Sequence, residues 1–263
     1  MVPHTVHLFS IPDANEASSI QSLWKHTPKP LTVAKAHYFV STSHLSSTLQ
    51  NDPSTNTSLF NLVTILPGSS IPVPQSITSI STKTLTFNID IEDHWIANYT
   101  ERNSALLHGN KTPIPPFPLT PTSPPDPNEE EVEFPLTPSL RTFFADFSAK
   151  YAGPVTMFNF LSFHDGMFPQ YQKYMDAFIK DLGPRYGAAP RLVGEIVKTG
   201  GEGGDRKGNE VAEKWEKMAF VHYDGAANFG RMLEDELYKG LDRMYKRGVV
   251  KDNPILLVVE LEE

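Results

Sequence analysis

The chain has 263 residues, 39% of them apolar and 21% charged, a mixture that supplies one large core or two smaller ones. It contains no cysteine, which excludes disulfides, thiolate metal sites, iron–sulfur clusters and a cysteine nucleophile, and leaves any metal to histidines and carboxylates. Its net charge of −8 divides as −2 over residues 1–110, −4 over 111–138 and −2 over 139–263, so there is no basic face of the kind nucleic acid requires.

The start, MVPHTVHLFSIPD, lacks a basic segment followed by an apolar run, and nowhere do eighteen apolar residues follow one another. A soluble cytoplasmic protein without membrane contact is expected. HTVHLFSI reads as a strand and DANEASSIQSLWKHT as a helix. LTVAKAHYFVST, SLFNLVTILPG and the alternating STKTLTFNIDI read as further strands, and DHWIANYTERNSALLHG as a closing helix. His37, His44 and His94 are scattered, and neither a His-Glu-x-x-His nor a His-x-His pattern occurs, so neither a metal nor a cofactor is expected; haem is harder to exclude. Sequons at Asn56, Asn98 and Asn110 read as chance matches.

Residues 111–138, KTPIPPFPLTPTSPPDPNEEEVEFPLTP, hold ten of the 23 prolines and the EEEVE run. Few backbone donors and little apolar surface predict an extended connector between a half covering 1–110 and one covering 139–263. A Pro-rich ligand for a partner's aromatic groove is the alternative.

The second half alternates more cleanly. VTMFNFLSF (155–163) is a strand, and PQYQKYMDAFIKDL places Tyr171, Tyr174, Met175, Phe178, Ile179 and Leu182 on one helical stripe. RLVGEIVKTG is a second strand running into the glycine-rich GGEGGDRKGNE, which lacks the Lys-Ser/Thr pair of a phosphate loop, and EKMAFVHYDG is a third. AANFGRMLEDELYKGLDRMYKRG then carries Phe229, Met232, Leu233, Leu237, Leu241 and Met244 at helical spacing, and NPILLVVELEE closes the half as a strand. Strand, helix, strand, strand, helix, strand is the ferredoxin-like βαββαβ order.

VTMFNFLSF, YQKYMDAF, WEKMAFVHYDGAANFGRMLEDELYKG and DRMYKRGVVKDNPILLVVEL resemble the dimeric α+β barrel superfamily, nearest a branch of small bacterial domains, over about residues 150–263. Where that branch has a Tyr-Pro-Ser-like turn after the third strand, this chain has Tyr223-Asp224-Gly225-Ala226. The resemblance implies an α+β fold in which a ferredoxin-like sheet closes against a partner sheet. A degenerate copy in residues 1–110 would make that partner internal, a tandem pseudo-dimer, with further homo-oligomerisation left open.

Asn159 is the residue that does not belong, an amide between Phe158 and Phe160 on the side shared by Val155, Met157, Leu161 and Phe163. Relatives that act as cofactor-free monooxygenases, and haem-degrading members, place an asparagine on the first strand against an oxygen-bearing ligand. The resemblance therefore implies that Asn159 lines a pocket between two sheets; the alternative is that it satisfies a neighbouring backbone group. His222 or Tyr223, on opposite sides of the third strand, points inward, and His222 is a candidate general base or a structural histidine. Tyr171 and Tyr174 are candidate ligand contacts or core rings, Trp215 a candidate pocket wall, and Glu195, Arg185 and Tyr186 default to surface roles.

Two functions follow. One is a cofactor-independent enzyme acting on an aromatic or polyketide-like molecule by oxygenation, cyclisation or other proton transfer; the other is a non-catalytic barrel that binds a small apolar ligand or mediates assembly.

Overall fold

The computed structural model describes residues 1–111, 115, 117–120, 132–198 and 214–263; most of the proline-rich segment and the whole of GGEGGDRKGNE lie outside them. In chain order the elements are β1 (Val2–Ser10), α1 (Asp13–Trp24), β2 (Thr32–Ser41), a small hairpin of β3 (Asn51–Asp52) and β4 (Thr57–Ser58), β5 (Leu62–Pro67), α2 (Gln75–Thr78), β6 (Lys83–Ile91), α3 (Asp93–Ile96) and α4 (Tyr99–His108). There follow α5 (Pro138–Lys150), β7 (Val155–Phe163), α6 (Phe168–Ala177), a π turn (Phe178–Leu182), a 3-10 turn (Gly183–Tyr186), β8 (Ala189–Ile196) and β9 (Lys217–Tyr223). The chain ends with α7 (Ala226–Glu234), α8 (Glu236–Tyr245), β10 (Val250–Asp252) and β11 (Ile255–Glu260).

The sheet runs β7-β11-β2-β5-β1-β6-β8-β9 and returns from β9 to β7, so eight antiparallel strands close a barrel. Closure leaves none of these eight strands with an open edge. Two seams join the halves of the chain: Ile255–Glu260 of β11 runs against β2, and Ile89–Ile91 of β6 against Gly194–Ile196 of β8. Gly194 is needed there, because a Cβ would lie 3.2 Å from the Asp90 carbonyl and 3.2 Å from Ile91 Cγ1.

Alternation decides which side chains fill the barrel. Val6, Leu8, Phe87, Ile89, Phe158, Phe160, Met218, Phe220, Leu256 and Val258 point inward and are buried, with Phe158 stacked on Phe220 at 4.0 Å between ring centroids. The interior is thus a packed core, each large side chain contributing about 1.5–3 kcal/mol through burial. The helices cover the outside: α5, α6, α7 and α8 lie over the strands of the second half, where Val155, Met157, Leu161 and Phe163 meet Phe144, Tyr171, Tyr174 and Phe229.

Three helices differ from expectation. The closing helix of the first half breaks at Asn98, which sits at φ 53°, and resumes as α4. The long helix after β9 breaks at Asp235, whose carboxylate caps α8 by accepting from the Leu237 N–H at 2.7 Å. Restarting the register there buries Tyr238 and Asp242 and leaves Met244, expected in the stripe, 61% exposed. The unanticipated α5 carries its own start signal, Thr137 accepting from the Leu140 N–H at 3.2 Å with Pro138 in the first turn.

A bulge in β8 makes Arg191 the extra residue between Pro190, paired with Val221, and Leu192, paired with Phe220. Its guanidinium is buried at one end of the barrel, donating to Thr156 Oγ1 at 2.9 Å, to the Tyr99 hydroxyl at 3.0 Å, and to Asn103 and Glu260. Arg191→Met should lower stability by about 3–5 kcal/mol, because it strands the Glu260 carboxylate without a counter-charge, and adding Glu260→Leu should restore most of the loss. Denaturant unfolding of the single and double variants checks this; equal stability of both would contradict it.

Candidate functional site

The cavity of interest lies outside the barrel wall, between β7, β8 and β9 on one side and α6, α7 and α8 on the other. Its volume is about 70 Å³. That exceeds the space needed for a single water several-fold. Sequence explains the gap: β9 presents Ala219 and Val221 to the helices where bulkier side chains would fill it, and the π turn after α6 keeps Phe178 and Leu182 inward while Ile179 stands 44% exposed at the rim.

Four tyrosines line this cleft. Tyr171 and Tyr174 come from the α6 stripe, Tyr223 from the end of β9 and Tyr238 from α8. Burial raises the pKa of all four, so each is a protonated phenol at neutral pH. Tyr223 donates only to the weak acceptor Met232 Sδ, at 3.3 Å, and among the described residues Tyr171 and Tyr174 have no hydrogen-bond partner.

A buried ion pair sits beside them. Lys246 Nζ is 3.2 Å from Asp242 Oδ2 and lies over the rings of Tyr174 and Tyr238, at 5.2 and 5.7 Å from their centroids. Asp242 also accepts from the Glu133 N–H at 2.6 Å and from the Tyr238 hydroxyl at 3.2 Å, which satisfies its carboxylate. Phe134, the residue after Glu133, forms part of the cleft wall.

Asn159 faces this cleft, not a space between sheets as expected. Period-two alternation fixes which residues share a side but not which side is interior, and the phenylalanines at 158, 160 and 220 take the interior. Asn159 Nδ2 donates to the Met157 carbonyl at 3.0 Å and the Ala219 carbonyl at 3.3 Å, while Oδ1 accepts from Asn253 Nδ2 at 3.4 Å. Of the candidates read from sequence, Asn159, Tyr171, Tyr174 and Tyr223 therefore meet in one place.

His222 and Trp215 do not join them. Both are buried in the barrel interior, where Trp215 packs against Phe160 and His222 stands opposite Thr156. His222 Nε2 is 3.3 Å from Asp224 Oδ1, and burial, aided by nearby Arg191, pushes its pKa down to about 4 despite that carboxylate. Glu195 pairs with Lys217 at 2.7 Å, and the Tyr186 hydroxyl donates to Asp235 at 2.8 Å. Among the described residues no group of three or more His, Cys, Asp or Glu is arranged to hold a metal, and no helix is long and apolar enough to cross a membrane.

No protein-family model matches the chain, and no curated protein matches it. Solved structures do. One is described as a "putative monooxygenase" from Lactobacillus acidophilus NCFM, with 8% identity, 99% of this chain and 94% of that one covered, and a TM-score of 0.46. A second, described as methylated RPA0582 protein, gives 19% identity over 46% of this chain and 91% of that one, with a TM-score of 0.33. The siroheme decarboxylase NirDL, solved with an iron-uroporphyrin III analogue, gives 9% identity over 97% and 70%, with a TM-score of 0.39.

Sequence reasoning missed Tyr238, Asp242, Lys246 and Asn253. The first three recur at intervals of four, a polar ladder on one helical face, which an uninterrupted apolar stripe concealed.

Two outcomes follow from this geometry. Asn159→Leu should lower stability by about 1–3 kcal/mol, because two carbonyls lose a donor and Asn253 loses an acceptor; unchanged thermal unfolding would contradict the bonding described. The second concerns acid. His222, and His7, also pushed down by burial to about 4, are neutral when folded and take up a proton on unfolding at the ordinary value of 6.5. Stability is therefore full above that value, falls as pH drops through it by up to about 1.4 kcal/mol per pH unit for each histidine, and levels off below about pH 4. His222→Gln should halve the slope attributable to this pair; denaturant midpoints across that range measure it.

Proposed function

We propose that the chain is a small-molecule protein of enzyme-like build, holding an aromatic or polyketide-like molecule in the cleft between the barrel wall and α6–α8. The observation that carries this reading is the cleft itself, an apolar space in which four phenols, one ammonium group and two amides converge. Apolar walls with a few convergent polar groups are the usual form of a ligand site. In it, Tyr171, Tyr174 and Tyr223 would orient a ligand oxygen, Asn159 would form the sheet-side wall, and the phenol donors would stabilise the charge that develops on that oxygen during enolisation, the carbon-bound proton passing to water at the open mouth of the cleft.

The barrel is in this reading a tandem repeat of two ferredoxin-like units, an internal pseudo-dimer. What supports it is the strand order, β11-β7-β9-β8 in one half and β6-β1-β5-β2 in the other, which in each case is fourth, first, third, second within its own half. His222 lies on the other face of β9 from the cleft, so proton transfer there would fall to groups other than an imidazole.

Binding without turnover is the second reading, favoured by one observation: the carboxylate beside the cleft, Asp242, is already engaged by the Glu133 N–H, the Tyr238 hydroxyl and Lys246. Ala219→Leu, which projects a side chain into the cleft, should abolish binding of a fluorescent naphthalene probe while keeping or raising the thermal midpoint. Unchanged probe binding would overturn the site. Deuterium incorporation into a 1,3-diketone in heavy water, faster with the native chain than with Ala219→Leu, would separate turnover from binding.

A further inference from the structure

The cleft brings together one buried ammonium group, four phenols and two amides. Lys246 has three N–H groups, and among the described residues one carboxylate, Asp242, is its partner at 3.2 Å. That carboxylate holds the ammonium in place without exhausting it, since Asp242 is itself saturated by the Glu133 N–H and the Tyr238 hydroxyl. The Lys246 side chain is 6% exposed, and it lines the cleft between the rings of Tyr174 and Tyr238. Two further donors, the hydroxyls of Tyr171 and Tyr174, have no partner among the described residues, and a third, on Tyr223, is spent on sulfur. On the acceptor side, Asn159 Oδ1 already receives Asn253.

We propose that Lys246 is the ligand-anchoring residue of the cleft, and that the cleft selects flat aromatic molecules bearing an anionic, acceptor-only oxygen. This rests on the reading that the cleft is a small-molecule site, and names the chemistry that the site takes. A neutral ligand hydroxyl can bond the tyrosine hydroxyl oxygens or the Asn253 carbonyl but brings no charge to the buried ammonium, and an amine adds a donor that Lys246 cannot accept. An anionic oxygen accepts from the ammonium and the phenols together, and charge-assisted bonds of that kind are the stronger ones. The tyrosine rings and Phe229 give a flat frame its apolar walls.

The test uses 4-nitrophenol, whose anion absorbs in the visible and whose neutral form does not. Added to the native full-length chain, the probe should ionise at least tenfold more readily when bound than when free, seen as growth of the anion band at a pH where the free probe is mostly neutral. Lys246→Met alone leaves Asp242 buried without its partner, so the informative variant is Lys246→Met combined with Asp242→Asn, which leaves neither charge; circular dichroism checks its fold. That double variant should bind the probe without the ionisation shift, and Asp242→Asn alone, which frees the ammonium, should enlarge the shift. If the native chain binds the probe with unshifted ionisation, or if the double variant keeps the shift, the role of Lys246 falls, while blockage of the same binding by Ala219→Leu preserves the cleft as a site. If the probe does not bind the native chain at all, both readings fall.

Discussion

Closure of the sheet is the constraint on which the rest of the structure depends. Had β2 and β11, or β6 and β8, failed to pair, each half would present unpaired N–H and C=O groups along its edges and an apolar inner face to water. Pairing at both seams removes those edges and turns the inner faces toward one another. Eight strands leave room for side chains and little else, and Phe87, Phe158, Phe160 and Phe220 use that room. The cleft lies on the outer side, where helices rest on the sheet and where small strand residues such as Ala219 let them stand away from it.

The irregularities of the helices then decide what that space contains. An unbroken helix from Ala226 onward would carry one apolar stripe along its whole length. The break at Asp235 rotates the second segment, so that Tyr238 and Asp242 on α8, with Lys246 just beyond it, turn toward β7 and β9. Burying a lysine and an aspartate is costly unless each finds partners, and here the Glu133 backbone, the Tyr238 hydroxyl and two ring faces supply them. One of those partners comes from the stretch preceding α5, which is thereby tied to the cleft. Phe117, farther back along the same segment, is pinned separately between the guanidinium groups of Arg141 and Arg231, 5.4 and 5.6 Å from its ring centroid. Gly230 makes that docking possible, since a Cβ there would lie 2.7 Å from the Phe117 ring.

What was legible in the sequence was local and periodic. The alternation in VTMFNFLSF and the stripe through Tyr171, Tyr174 and Phe178 gave β7 and α6 because each element's own side chains declare its period. The meeting of Asn159 with Tyr171, Tyr174 and Tyr223 was not legible, since Asn159 was expected between two sheets and not beneath the helix that carries the tyrosines. Which side of β7 faces the barrel interior was not legible, because both sides are almost equally apolar, and only the bulk of the phenylalanines against their partners across the barrel settles it. Nor was the pairing of Lys246 with Asp242, which depends on a helix restart that a single residue, Asp235, brings about. Arg191 escaped notice for a related reason: a one-residue bulge redirects it, and a bulge leaves no mark on strand periodicity.

The outer side of the first half is packed differently. On its outer side Phe9, Ile11, Leu23, Val33, Leu62 and Ile77 pack together between the strands and α1 and α2. A buried histidine on that side, His7, has both ring nitrogens occupied, Nδ1 with Thr86 Oγ1 at 2.9 Å and Nε2 with the Ile71 carbonyl at 2.8 Å. On β5, the third strand of its half as β9 is of the other, Leu62 packs into this cluster, and Lys35 of β2 pairs with Glu16 of α1 at 2.7 Å. Both halves supply four strands to the closed barrel, and the second adds the broken helices and the buried charges of the cleft.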